Sequence, residues 1–221
     1  MLRVATGISV AGVAIAVTIL VLLATGLGSS ITNGVSNIAF AQDQTASQPA
    51  PATFTMENGQ DVAVDPEYTL VIELKDGPVV IQMFPQFAPN HVRRIKELAR
   101  EGFYDGIVWH RVIDGFMAQT GDPDGRGTGG SGQKLKAEFN GIPYLRGIVG
   151  MARAQHPHSA DSQFFIMFAP GRFLDAQYTA WGRVVSGMEF VDNIKKGDSA
   201  ANGLVTEPDQ MLKVYVLADA P

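Results

Sequence analysis

Trp109 to Pro123 reads WHRVIDGFMAQTGDP. Its two runs, WHRVI and GFMAQ, have the length and the aromatic and β-branched character of short strands, and Asp114-Gly115 between them is a turn pair. The spacing predicts a hairpin. Side chains alternate across a strand, so Arg111 shares a face with Ile113, and His110 points the other way. On the second run Met117 and Gln119 share a face. Neither run holds an acidic residue that could pair with Arg111. Further on, Gln163 and Phe165 share a face in SQFFIM. If these strands adjoin, one sheet face carries a concave patch of Phe, Met, Leu and Gln with one guanidinium at its edge. An apolar pocket with a few placed polar groups is the general form of a ligand site. No carboxylate pair and no nucleophile accompany it. His110, flanked by apolar residues, reads as a satisfied core histidine.

Outward from this stretch the chain is rich in strands. Tyr68–Leu74 (YTLVIEL) and Val79–Phe84 (VVIQMF) are predicted to form a hairpin about Asp76-Gly77-Pro78. Asn90–Arg100 places Val92, Ile95, Leu98 and Ala99 at helical spacing, with Asn90 as N-cap and Gly102 as stop. Gly147–Ala152, Ser162–Phe168, Thr179–Val185 and Met211–Leu217 read as strands, and Met188–Ile194 as a short helix. Many short strands, two helices and long loops predict a mainly β fold, a closed or partly closed barrel with helices at its ends. No internal repeat is present.

Composition narrows the chemistry. The 221 residues are 46% hydrophobic and 18% charged, with a net charge of -5 and no basic cluster beyond Arg93-Arg94, which argues against a nucleic-acid partner. There are no cysteines, which excludes thiol catalysis, disulfides and Cys-based zinc sites. Gly125–Gly130 matches G-x-G-x-x-G, but a D-P-D turn precedes it and no βαβ pattern surrounds it, so a nucleotide site is not expected. His156, His158 and Asp161 are metal-ligand types, yet Pro157 between the histidines gives no register that aims both rings at one ion; exposed loop histidines are expected. Ser159 and Asp161 beside a histidine hold the residue types of a hydrolase triad without its nucleophile elbow.

The N-terminus is different in kind. Val4–Leu27 carries no charge and follows Arg3, the pattern of an export signal, a membrane anchor, or both. Ala39-Phe40-Ala41 fits a cleavage site. Residues 1–41 are therefore expected to be a signal peptide or an N-terminal anchor, with possible membrane attachment through residues 4–27. Residues 42–64, polar and rich in Pro, Ala and Thr, are expected to be a flexible linker. Residues 65–221 are the globular body, outside the cytoplasmic membrane because the positive end stays inside. The body is therefore expected in the periplasm or on the extracytoplasmic face of the membrane.

From about Tyr68 to Ala218 the chain resembles the cyclophilin family of peptidyl-prolyl cis–trans isomerases. The resemblance rests on Phe103-Tyr104-Asp105-Gly106, His110-Arg111-Val112, Gly115-Phe116-Met117, Gln119, Gly127–Gly130, Gly150-Met151-Ala152, Ser162–Ile166 and Leu174-Asp175, all in order. It implies an eight-stranded antiparallel β-barrel capped by two α-helices, rotamase activity, no cofactor, and a monomer whose partners are proline-containing segments of exported client proteins. By position, it implies that Arg111 is the catalytic arginine. Phe116, Met117, Phe165 and Leu174 match the hydrophobic floor for the proline ring. Gln119 matches a polar residue near the arginine, Ala152 and Gln163 the groove along the substrate backbone, and Gly127 the wall of an adjoining pocket. Arg153, Ala154, Phe173 and Tyr178 fall at further substrate-binding positions. Three of these depart from the eukaryotic pattern. Phe173 replaces a tryptophan, which tells against tight cyclosporin binding. Tyr178 replaces a histidine. Arg153 replaces an asparagine that contacts the substrate backbone, which bears on the flanking residues preferred. A noncatalytic peptide-binding or chaperone module on the same fold is the rival expectation.

Overall fold

The computed structural model describes residues 52–55 and 59–220. The expected signal or anchor (1–41, with its apolar run 4–27) and the start of the expected linker lie outside the described residues. Among the described residues no helix is long and apolar enough to cross a membrane.

The strands are β1 (Ala52–Thr55), β2 (Asp61–Val64), β3 (Thr69–Leu74), β4 (Gly77–Met83), β5 (Arg111–Ile113), β6 (Met117–Thr120), β7 (Ile148–Met151), β8 (Phe164–Met167), β9 (Ala180–Ser186) and β10 (Lys213–Val216). Two helices, α1 (Pro89–Arg100) and α2 (Met188–Asp192), accompany them. Eight strands form one antiparallel sheet in the order β10-β3-β4-β9-β7-β8-β6-β5. The fold is thus mainly β, as the sequence predicts. The sheet curls until the segments leading into its edge strands meet. Val108 bridges Gln210, and the backbone bonds Gly106 N–H to Met211 O (2.7 Å) and Trp109 N–H to Asp209 O (2.9 Å) complete the closure.

The interior is filled. Phe164 packs edge-to-face against Trp181, Tyr104 and Trp109, with centroids 5.6, 5.6 and 6.2 Å apart. α1 turns Val92, Ile95 and Leu98 onto this core. A small barrel filled by its own side chains leaves no room inside for a ligand. Period-two alternation then decides where the site lies. β8 sends Phe164 and Ile166 inward and Phe165 and Met167 to the opposite face, where they join Met117, Tyr144, Leu174 and Ala180 in a second cluster.

Three local expectations are corrected. The linker expected over 42–64 is, in its described part, a β1–β2 hairpin. Phe54 pairs with Val62, and Phe54, Val62 and Val64 pack on Val80 and Val185 across the outer face of the main sheet. Its Pro, Ala and Thr content hid a short alternation, A-T-F-T answered by D-V-A-V. Asn90 is not the N-cap of α1; the helix begins at Pro89, with Ala88 as cap and no side-chain cap bond. Proline suits the first helical position, where its missing N–H would have no intrahelical partner. The free N–H groups of Asn90 and His91 donate instead to the Glu138 carboxylate, from 48 and 47 residues away (3.1 Å each). The second helix ends at Asp192, short of the expected Ile194.

Candidate active site

The hairpin of the opening stretch is present, with a three-residue connection. β5 and β6 pair so that Arg111 faces Gln119 and Ile113 faces Met117. Asp114, Gly115 and Phe116 span the turn, with Gly115 at φ 66°. A left-handed residue in such a loop favours glycine. β6 in turn pairs with β8, setting Gln119 opposite Phe165. Arg111, Gln119 and Phe165 therefore form one row across three strands on the outward face.

That row borders a cavity of about 260 Å³ lined by Arg111, Phe116, Met117, Gln119, Ala152, Arg153, Phe165, Phe173, Leu174 and Tyr178. Every lining residue is among those singled out in the sequence. The other three, Gly127, Ala154 and Gln163, line an adjoining cavity of about 280 Å³ that shares Gln119, Ala152 and Arg153. The floor of the first cavity is firm. Met117, Phe165 and Leu174 are buried, Phe165 stacks on Tyr144 (5.7 Å, 26°), and Tyr178 meets Phe165 edge-on at 5.9 Å. Phe173, 67% exposed, tilts against Phe116 at the rim.

Arg111 is held by neutral groups. Its Nη1 donates to Gln119 Oε1 (3.1 Å), its Nε to the Asn202 carbonyl (3.1 Å) and its Nη2 to Asn202 Oδ1 (3.0 Å). Gln119 Nε2 donates to Gln163 Oε1 (2.9 Å), and Gln163 Nε2 to the Gly129 carbonyl (2.9 Å), so a chain of amides fixes the fork from behind. Partial burial pulls the guanidinium pKa down, and Tyr178 opposes the shift. An arginine remains charged through such a shift. Of its five N–H donors, three are engaged, leaving two. Among the lining residues of the first cavity none is a carboxylate, serine, cysteine or histidine.

Sequence reasoning missed Asn202 and Tyr144. Asn202-Gly203 announces a turn, but nothing local shows that it closes on a residue 91 positions away. Tyr144 lies in a loop without periodic neighbours, yet it is fully buried under Phe165.

The rejected sites have physical grounds. The glycine loop turns its N–H groups inward: Asp122 accepts from the backbone of Asp124 (2.8 Å), Arg126 (3.1 Å), Gly127 (2.5 Å) and Gly129 (3.1 Å). Burial alone would raise the Asp122 carboxyl, but these donors outweigh it and hold the pKa below the usual range. Four of the amides that a phosphate could use are thus already engaged. Asp161 is buried and bonded to Ser131 N–H (2.7 Å), Ser131 O–H (2.6 Å) and Lys134 (3.3 Å), while Ser159 O–H donates to the His156 carbonyl (2.6 Å). His156 and His158 are exposed. His110 departs from its expectation. It is buried, but neither ring nitrogen has a hydrogen-bond partner among the described residues. Burial lowers its pKa; the Asp122 charge and the Val108 carbonyl oppose the shift without reversing it, the Arg111 charge adds to it, and the carbonyl forms no bond of ordinary geometry.

The structure is a curled antiparallel sheet with a fixed guanidinium beside an apolar hollow on its outer face, and the comparisons give that architecture its family. The description "Cyclophilin type peptidyl-prolyl cis-trans isomerase/CLD" matches residues 69–216. A probable peptidyl-prolyl cis-trans isomerase of Brucella suis is 54% identical over 169 residues, covering 71% of this chain and 86% of that protein. Peptidyl-prolyl cis-trans isomerase B of Bacillus subtilis is 43% identical over 128 residues, covering 57% and 89%. Among solved structures, the cyclophilin AquaCyp293 from Hirschia baltica matches with TM-score 0.64 and 28% identity over 72% of this chain and 77% of that one. A Cryptosporidium parvum cyclophilin type isomerase, solved in the presence of the dipeptide Ala-Pro, matches with TM-score 0.61 and 25% identity over 67% and 98%. The chain belongs to the cyclophilin-type peptidyl-prolyl cis–trans isomerase family. It is a rotamase.

Proposed function

We propose that this rotamase acts on Xaa-Pro bonds of exported proteins, and that Arg111 carries the chemistry by assisting deconjugation of the prolyl amide. Amide resonance sets the uncatalysed barrier at about 18–20 kcal/mol. In the twisted transition state the proline nitrogen pyramidalises and regains a lone pair. A donor aimed at that lone pair binds the transition state better than the planar ground state, which is what accelerates a reaction. Arg111 fits this role because its fork is preorganised, charged and, among the described residues, unpaired by any acid. Phe116, Met117, Phe165 and Leu174 hold the ring while the acyl side turns. Their low dielectric strengthens the arginine contact.

The carrying observation is the Arg111 guanidinium, tethered only to neutral amide oxygens at the edge of an apolar hollow. A single preorganised donor is worth about 2.7–4 kcal/mol in comparable sites. At about 1.4 kcal/mol per tenfold, Arg111→Ala is expected to lower kcat/KM on a short Xaa-Pro peptide by about 10²–10³. An equally active variant would remove Arg111 from the mechanism, and the apolar hollow alone would then have to account for the rate.

Export supports the choice of clients. Arg3 followed by the uncharged run 4–27 and the Ala39-Phe40-Ala41 pattern favour an extracytoplasmic body, free after cleavage or tethered by the run. N-terminal sequencing of the protein from cells distinguishes the two: a start at Gln42 means a free enzyme, and a start near Met1 means an anchor.

A further inference from the structure

Arg153 lies between the two cavities and lines both. Its guanidinium is fixed. Nε and Nη2 donate to the Gln177 carbonyl (3.3 and 3.2 Å), and Nη1 donates to the carbonyls of Ala154 (3.0 Å) and Gln155 (3.2 Å). Its plane sits 4.5 Å above the Tyr178 ring. All four acceptor contacts are to neutral carbonyls, and Arg153 takes part in no ion pair among the described residues. The one carboxylate beside it in the adjoining cavity, Asp161, is buried and already bonded to Ser131 and Lys134. Arg111, the other charged residue of the first cavity, likewise has no acidic partner among the described residues. The binding face therefore presents fixed, uncompensated positive charge, although the chain as a whole carries -5.

We propose, building on the isomerase reading, that Arg153 makes this site select Xaa-Pro segments bearing Asp or Glu within a residue or two of the isomerising bond, and discriminate against Lys or Arg there. The side chain is already ordered, so an acidic neighbour gains the attraction without the entropy of immobilising a long cation. The half-buried rim lowers the dielectric around it. Like charge at the same place is repelled, which sharpens the difference. A clamp joining the 152–155 and 177–178 segments would explain the four hydrogen bonds equally well, but it would not discriminate between peptides by charge.

The test uses the full chain and three series of peptides that differ only in Glu, Ala or Lys, placed one or two residues before or after the Xaa-Pro bond. The readout is the ratio of kcat/KM for Glu over Lys peptides, in which any general loss of activity cancels. About a fivefold ratio is expected for the parent at the best position, falling toward one in 1 M salt. Arg153→Gln is expected near one, Arg153→Glu below one, and Arg153→Lys above one, because charge without the clamp suffices. A parent ratio of one at every position, or an Arg153→Glu ratio equal to the parent's, overturns the inference while leaving the isomerase reading intact. If no peptide, Ala included, is isomerised faster than in buffer, the isomerase reading itself fails and the selectivity with it.

Discussion

Acidification from pH 7.5 to 5.5 is expected to cost this fold up to about 2.7 kcal/mol, through two histidines outside the candidate site. His91 and His110 are 0% and 3% exposed. Burial lowers both pKa values, and the attraction of Glu138 for the first and of Asp122 for the second does not restore them. The unfolded chain titrates near 6.5 at each position. Below 6.5 the unfolded state therefore binds more protons than the folded one, so stability rises with pH there and is lost as pH falls. A histidine kept neutral by the fold loses RT ln(1 + 10^(6.5 − pH)), which is about 0.06 kcal/mol at pH 7.5 and about 1.4 kcal/mol at pH 5.5. Two such groups give the total. Asp122 and Glu138, held low, act in a more acid window. Their stabilisation is complete above their ordinary values of 3.8 and 4.5 and is lost only as pH falls through the folded ones. The assay is urea unfolding at the two pH values. His110→Leu removes a ring whose nitrogens have no partner, so the loss should shrink, by up to about 1.4 kcal/mol. Equal unfolding free energies at pH 7.5 and 5.5, or an undiminished loss in His110→Leu, would refute the reasoning.

Asn202→Asp keeps the shape and the left-handed tolerance at φ 54° but sets a carboxylate on the Arg111 fork. Activity should fall about tenfold, the effect of roughly 1.4 kcal/mol, with stability unchanged or higher; unchanged kcat/KM would show that the free charge of Arg111 is not used. Phe165→Ala removes the ring stacked on Tyr144 and is expected to cost about 3–5 kcal/mol and to raise KM for Xaa-Pro peptides; a normal KM would place the proline elsewhere. Val64→Asp puts an unpaired charge at a 1% exposed position under the β1–β2 hairpin. It should lower the unfolding free energy by about 2–4 kcal/mol while kcat/KM, measured well below the melting temperature, stays within about twofold. A matching loss of activity would mean that the hairpin reaches the site.

What was legible in the sequence was whatever repeats at a short period. Alternation in WHRVI, GFMAQ and SQFFIM put Arg111, Gln119 and Phe165 on one face, and the pairing β5-β6-β8 then aligned them. The same rule failed on Ala52–Thr55 and Asp61–Val64, because each strand holds only two alternations and Pro-rich composition surrounds them. Long-range closures were invisible. Glu138 capping α1 and Asn202 gripping Arg111 each span tens of residues, and each end, read alone, is an ordinary loop polar residue. His110 shows the opposite failure: its burial is readable, but nothing in the local sequence tells that neither ring nitrogen finds a partner among the described residues.

The neutral tethering of Arg111 has a physical logic that ties these threads together. A carboxylate would hold the fork as firmly as Asn202 and Gln119 do, and a half-buried charge pair would be less costly to bury than a lone cation. It would also cancel the field that the twisted amide must feel in the mechanism proposed above. Amide oxygens orient the donors without neutralising them, and the cost of the unpaired charge is limited because Arg111 sits on the outer face, half in water, rather than in the barrel's filled interior. The residue at the other side of the hollow follows the same pattern, since Arg153 too is fixed, among the described residues, by carbonyls and an aromatic ring rather than by an acid. The main core and the apolar hollow are thereby divided between the two faces of one sheet. The inward side chains of β8 build the core, and its outward ones build the floor on which the two cations stand.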